Sequence, residues 1–188
     1  VKELQALLRW LESVTEMMTS EQNRLETATP TVAALTQEHL EYLKQQQQLI
    51  KKLISDHFDQ HPHLKQQRAL LTSIPGIGEQ TASVLLAEIR DVSDYNNARQ
   101  LAASGTSVKG KTRLSCTGNV RLRKALYMPA VVAMRYNPLL KAMSERLLGR
   151  VQVKMQVIGA LMRKLVHLAF GILKSQKPFD PNYLTATP

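Results

Sequence analysis

The sequence predicts an all-α fold, a long antiparallel coiled-coil hairpin leading into a second helical domain, and three observations predict it. Hydrophobic residues make up 44% of the chain but aromatics only 5%, a balance that suits Leu-, Val-, Ile-, Ala- and Met-packed helices better than a β-sandwich. Apolar side chains recur at helical spacing through residues 1–60 and again from Asn119 to about Lys174, with no convincing strand alternation anywhere. Pro and Gly cluster where that period lapses.

Leu4, Leu7, Leu11, Val14, Met18 and Leu25 follow an a/d heptad spacing that Glu21 interrupts. The pattern breaks at Ala28-Thr29-Pro30-Thr31, and Thr31 is the expected N-cap of a helix resuming at Val32. Leu35, His39, Tyr42, Leu49 and Leu53 continue one stripe on that helix, while Leu40, Leu43, Ile50 and Ile54 widen it. The apolar area of such a hairpin is small, so a second copy packing on it is expected; packing on the C-terminal half is the alternative. The glutamine run Gln45–Gln48 lies inside the helical period and reads as a solvated face. His57, His61 and His63 follow. A His pair at i, i+4 can bind zinc, but no Cys or carboxylate completes a ligand set, and Pro62 breaks the helix between them. An interhelix turn is expected there, and no metal site.

From Leu64 to Arg90 the expectation is a short helix, a tight turn at Ile74-Pro75-Gly76-Ile77-Gly78 and a second helix. Residues 95–118 read as irregular. Two breaks then divide the last helical stretch, one at Asn137-Pro138 and one between Gly149 and Lys154, and an extended tail begins at Pro178.

Charge divides the chain in two. Residues 1–94 hold 9 basic and 13 acidic side chains, whereas residues 95–188 hold 16 basic and 2 acidic. No acidic residue stands between Asp94 and Glu145. A field of one sign over half the chain points to a polyanion, because phosphate neutralisation releases counterions; a merely basic surface is the plainer reading. The single cysteine, Cys116, excludes an internal disulfide. No uninterrupted apolar run reaches the roughly 18 residues that span a membrane, and no signal peptide is visible. A cytoplasmic location is expected.

Two segments carry candidate chemistry. Pro75, Gly76, Ile77 and Gly78 resemble a helix-hairpin-helix turn, whose glycines let the backbone approach a phosphate and whose following helix start offers amides. Such contacts position a nucleic acid without reading its sequence. Glu79 works against an anion there, and a plain αα-turn uses the same residues. The second segment runs from Ser104 to Ser115, with Lys109, Lys111 and Arg113 alternating with small residues, and leads through Asn119 into a helix start bearing Arg121, Arg123 and Lys124. Cations in a loop of small residues fit a phosphate backbone. A serine in it becomes a nucleophile only if a neighbour takes its proton; otherwise it is a turn residue.

The stretches SIPGIGEQTASVLLAEI, ARQLAASGTSVKGKTRLSCTGNVRLRKALYMPAVVAMRYNP and ALMRKLVH with KPFD, in that order, resemble the C-terminal domain of a large bacterial insertion-sequence transposase family. The resemblance covers roughly Leu64 to Asp180. Its members combine an N-terminal RuvC-like domain bearing four acidic residues, a coiled coil and a C-terminal domain with a serine nucleophile, and some use a structured guide RNA. The resemblance implies a coiled-coil hairpin over residues 1–61, a transposase domain over 62–180 with its helix-hairpin-helix at 64–90, and a tail over 181–188. The family's Ser-Gly serine falls on Ser104, with Ser107 as second choice. Its basic loop matches Lys109, Lys111 and Arg113, its helix start Gly118, Asn119, Leu122 and Arg123, and its Met-Arg-Lys-Leu stretch Arg163 and Lys164. DNA is the implied partner, with a guide RNA and a homodimer or higher oligomer as further expectations and no membrane.

The sequence departs from the pattern at two places. Ala103 runs directly into Ser104 where relatives carry a longer segment, and Cys116 replaces a usual lysine. No cofactor is expected in this chain. The basic half has only Glu145 and Asp180 as carboxylates, so a divalent metal is expected in an acidic N-terminal domain outside it, and the chain reads as a fragment. Two other readings stay open. One is a non-catalytic helix-hairpin-helix module for DNA binding and dimerisation, and the other is an RNA-binding accessory protein.

Overall fold

The structure is a computed structural model, and it describes residues 2–89, 120–150 and 153–182. Among these residues it is all-helical, with seven helices and no strand: α1 (Lys2–Leu25), α2 (Pro30–Gln60), α3 (Pro62–Thr72), α4 (Glu79–Ile89), α5 (Val120–Tyr136), α6 (Pro138–Leu148) and α7 (Lys154–Ser175). The chain falls into two compact units, Val1–Pro62 and His63–Pro188.

The first unit is the pair α1 and α2, packed side by side. α1 ends before a short link, and α2 begins on Pro30 with Thr29 at the N-cap. Pro fits that first position because its missing N–H would have had no partner anyway. The expected cap at Thr31 is therefore two residues late, since the proline starts the helix rather than ending the break. The helices run in opposite directions: Glu3 meets His57 (3.7 Å), Gln47 donates to the Thr15 hydroxyl (3.3 Å), and Glu21 meets His39 (3.5 Å). Leu4, Leu11 and Val14 are buried on α1 as the heptad spacing predicts. Glu21 lies within the pairing instead of merely interrupting it, holding Arg24 and His39 with little of its side chain exposed.

On α2 the buried row is Thr36, Leu40, Leu43, Ile50, Ile54 and His57. The apolar members of the stripe read as the continuation of the seam face outward, with Leu35 64% and Tyr42 56% exposed and Leu49 and Leu53 also open, while His39 of that stripe meets Glu21. Periodicity shows that two apolar stripes exist; which one meets α1 depends on the partner's register.

The second unit is organised around α5, which packs against α4, α6 and α7, while α6 also packs against α7. Pro62 opens α3 two residues after α2 ends, as expected of a helix-breaking proline. The core of this unit includes Leu71, Ile74, Leu85, Ile89, Leu126, Ala130, Leu140, Leu161 and Leu165, all nearly inaccessible. α7 is long and apolar enough by composition to cross a membrane, although Arg163 and Lys164 divide its apolar run. It packs against both α5 and α6 and buries nine residues from Val157 to Leu173, as the core helix of a folded domain does.

Candidate functional site

The turn between α3 and α4 is built around Gly76, whose φ of +106° lies where a side chain is rarely tolerated. A Cβ on Gly76 would stand 2.9 Å from the Ala133 Cβ and 2.9 Å from the Pro129 carbonyl oxygen. These two residues lie one turn apart on α5, so the turn's backbone nests against that helix. Pro129 is buried inside α5, where its ring removes one internal hydrogen bond. Ile74 and Ile77 are buried on either side of the turn, and Pro75 is half-buried. Gly76 is therefore needed for packing against α5. The open part of the turn is Gly78, Glu79 and Gln80, all exposed. No neighbour crowds Gly78.

Two polar side chains fasten the same turn. Asn137 is fully buried and caps α6 by accepting from the Leu139 and Leu140 amides, at 3.2 and 3.3 Å. Its Nδ2 donates to the Pro75 carbonyl at 3.3 Å. One residue thus satisfies a helix start and a turn carbonyl distant in sequence. Ser73 Oγ donates to the Leu70 carbonyl at 2.6 Å and accepts from the Phe179 amide at 2.8 Å, which ties the tail down beside the turn. Sequence reading singled out the Asn137-Pro138 break but not its cap, although Asn before Pro is a capping signal. Nothing local marks Pro129, Ala133 or Phe179 as partners of the turn.

Of the sequence-predicted cations, Arg121, Arg123 and Lys124 stand on the first turns of α5, with Lys124 exposed and the two arginines half-buried. Arg163 is exposed and Lys164 half-buried midway along α7. Ser104, Ser107, Lys109, Lys111, Arg113 and Asn119 lie outside the described residues. Residues 120–182 as a whole carry twelve Lys and Arg against Glu145 and Asp180, so the charge excess extends well beyond the loop that drew attention to it. Among the described residues no three His, Cys, Asp or Glu side chains are grouped to hold a metal ion.

His57 is 5% exposed, stacks on His61 with centroids 4.3 Å apart, and leaves its buried Nε2 without a hydrogen bond. His61 Nδ1 donates to the His57 carbonyl at 2.7 Å. Burial first, then the charge of His61, lowers the His57 pKa, while Glu3 raises it. His63, in the second unit, pairs with Gln67 at 3.0 Å.

Comparison with known proteins bears on this second unit above all. Residues 68–145, from α3 to α6, match the model of the Transposase IS116/IS110/IS902 family. The pilin gene-inverting protein of Moraxella bovis is 30% identical over 189 residues, 94% of this chain and 58% of that protein. Its namesake from Moraxella lacunata gives the same figures. An uncharacterised 43.6 kDa protein of the insertion element IS110 from Streptomyces coelicolor is 30% identical over 115 residues, 56% of this chain and 28% of that protein. The chain thus spans little more than half the length of the pilin gene-inverting relatives. The turn at Gly76, the helix it nests on and the cap at Asn137 all fall inside the segment that matches the IS116/IS110/IS902 transposase domain.

Proposed function

We propose that the chain is the C-terminal portion of a cytoplasmic DNA transposase or recombinase, binding DNA through its basic half and contributing a serine to strand cleavage and exchange. The observation that carries the reading is one coincidence. The segment matching the transposase family, residues 68–145, holds all of the stretch between Asp94 and Glu145 that has no carboxylate. Names of the relatives, which refer to gene inversion and an insertion element, agree with DNA as the partner. Changing Lys109, Lys111 and Arg113 together to Ala should weaken binding to unrelated duplexes alike. It should also flatten the salt dependence by about three in slope, one per phosphate contact. An unchanged slope would remove the loop from the interface.

The chemical step rests on the resemblance around Ser104 and Gly105, with Ser107 as second choice. In that step the serine Oγ bonds to phosphorus, its proton passes to a base, and a sugar oxygen departs with the phosphodiester energy held as phosphoserine. Lys109, Lys111 and Arg113 would steady the added negative charge. On this reading a divalent metal belongs to the acidic N-terminal domain that the resemblance implies. The 188-residue chain should bind DNA without cutting it. A protein extended to the length of the relatives should form a DNA adduct that Ser104→Ala abolishes, the linked peptide being read by mass spectrometry. An adduct undiminished in both Ser104→Ala and Ser107→Ala leaves the non-catalytic DNA-binding and dimerisation module as the reading.

A second copy is the proposed partner of the hairpin. Val32, Leu35, Tyr42, Leu49 and Leu53 are exposed at heptad spacing on α2, as a coiled-coil seam requires. Use of a guide RNA rests on the resemblance alone, and competition between a structured RNA and duplex DNA tests it.

A further inference from the structure

The outer arc of α7 is cationic, and it carries a glycine that packing among the described residues does not require. At about 100° per residue, Lys174 lies about 20°, Gly171 about 80° and Lys164 about 100° round the helix from Arg163. The four therefore share less than a third of the circumference, and the buried residues of α7 take up the remainder. Arg163, Gly171 and Lys174 are exposed and Lys164 is half-buried. No carboxylate stands anywhere on α7. Gly171 lies in the helix interior, where glycine is among the poorest helix formers. Its φ is not positive, and a Cβ built on it would meet no described residue within 4 Å. Gly76, whose Cβ position is blocked by α5, is the opposite case.

A missing side chain on an exposed helix lets the backbone of another molecule come close to the helix. The charge of the arc says which molecule. Arg163 and Lys174 stand about 16 Å apart along the axis, with Lys164 between them and no anion on the helix. Such a row suits a polyanion whose charges repeat every few ångström. A second copy of the same arc would set like charges face to face. Lys174 Nζ stands 5.8 Å from the Phe170 ring centroid, a cation–π contact that holds the ammonium beside the arc. Resting on the DNA reading above, we propose that the outer arc of α7 is a contact surface for the phosphodiester backbone of duplex DNA, with Gly171 as the point of closest approach and Arg163, Lys164 and Lys174 as the phosphate contacts. Contacts of this kind position a duplex without reading its sequence.

The test measures binding of the full chain to a short fluorescein-labelled duplex over a salt series, together with the thermal unfolding of each variant. Gly171→Ala should raise the Tm by about 2–4 °C, because alanine is the better helix former and has room. Gly171→Leu, also a good helix former, should leave the Tm no lower than the parent's and weaken duplex binding about tenfold, the loss of one charged contact. Stability kept or gained while affinity falls is a result that a merely structural glycine cannot give. Arg163→Ala and Lys174→Ala should each flatten the salt slope by about 0.9. Unchanged duplex affinity in Gly171→Leu overturns the close approach, and unchanged slopes in both cation variants overturn the arc. Parent binding retained in the same experiment leaves the DNA reading standing. A parent that binds no duplex overturns both. A Gly171→Ala variant that melts below the parent shows that the fold itself packs on Gly171, and the proposal falls. It falls equally if the variants weaken binding to a structured RNA and not to the duplex, or alter the oligomeric state with duplex affinity intact.

Discussion

In the hairpin, side chains set the register of α1 on α2, whereas in the basic unit the backbone itself is the contact. Glu3 with His57, Thr15 with Gln47 and Glu21 with His39 pin the hairpin at intervals along its length. The basic unit instead lays the Gly76 turn directly against Pro129 and Ala133 and locks it with the buried amide of Asn137. Each leaves one apolar face uncovered. That of α2 is heptad-spaced and lies in the net acidic half of the chain; that of α5 lies among cations. Residue type alone would class the two faces together. Their charge surroundings distinguish them.

If backbone contact holds the basic unit, its weakest point is a single Cβ. Gly76→Val places a β-branched residue at positive φ and drives it into a carbonyl oxygen and a methyl group. Backbone strain of about 1–3 kcal/mol and overpacking of a similar size should together cost about 4 kcal/mol. Thermal unfolding should show this as a large drop in Tm or as failure to fold. A Gly76→Val variant that melts with the parent would break the comparison. Gly78→Ala, at an uncrowded position, should change stability little.

Next in size is the outward seam of α2. Leu49→Ala with Leu53→Ala should leave the α1–α2 pairing intact, because both side chains face away from it. In a homodimer the four truncated side chains should forfeit about 3 kcal/mol of burial, raising the dimer Kd about a hundredfold. Sedimentation equilibrium gives the Kd. A parent chain that is monomeric throughout the micromolar range, free and DNA-bound, removes the second copy.

Asn137→Ala should cost about 2 kcal/mol, since it deletes a helix cap and strands the Pro75 carbonyl in a buried site. Asn137→Asp keeps the acceptor for the Leu139 and Leu140 amides but loses the donor to Pro75. A melt in which Asp and Ala behave alike would assign the whole effect to the turn; one in which Asp matches Asn would assign it to the cap.

These sites show what the sequence made legible. Helix existence and most boundaries were readable, because Pro30, Pro62 and Asn137-Pro138 act within a residue or two of where they stand. The inward row of α1 was readable because Leu4, Leu11 and Val14 form its main stripe. On α2 the alternation of two apolar stripes hid the orientation, which is settled by which polar groups meet across the pair. The sequence marks Gly76 as a special residue, and the structure adds a packing reason that the sequence does not show. Its constraint comes from Pro129 and Ala133, more than fifty residues away, and local pattern carries no information about such an approach.

The smallest expected effect is the acid response of the hairpin. His57 sits under His61 at the end of α2, with Glu3 of α1 3.7 Å away. Burial, reinforced by His61, holds its pKa below the ordinary 6.5, and Glu3 offsets only part of that. In the unfolded chain His57 takes up a proton more readily than in the folded one, so protons favour unfolding. The stabilisation is therefore complete above about pH 6.5 and is lost as pH falls through the lowered folded value. Between about pH 7.5 and about pH 5.5 the Tm of the parent should fall more steeply than that of His57→Gln, which cannot take up the proton. His61→Gln removes the reinforcing charge and should give an intermediate slope. Parallel Tm profiles for parent and His57→Gln would show that the hairpin's polar pins set register without making it acid-sensitive.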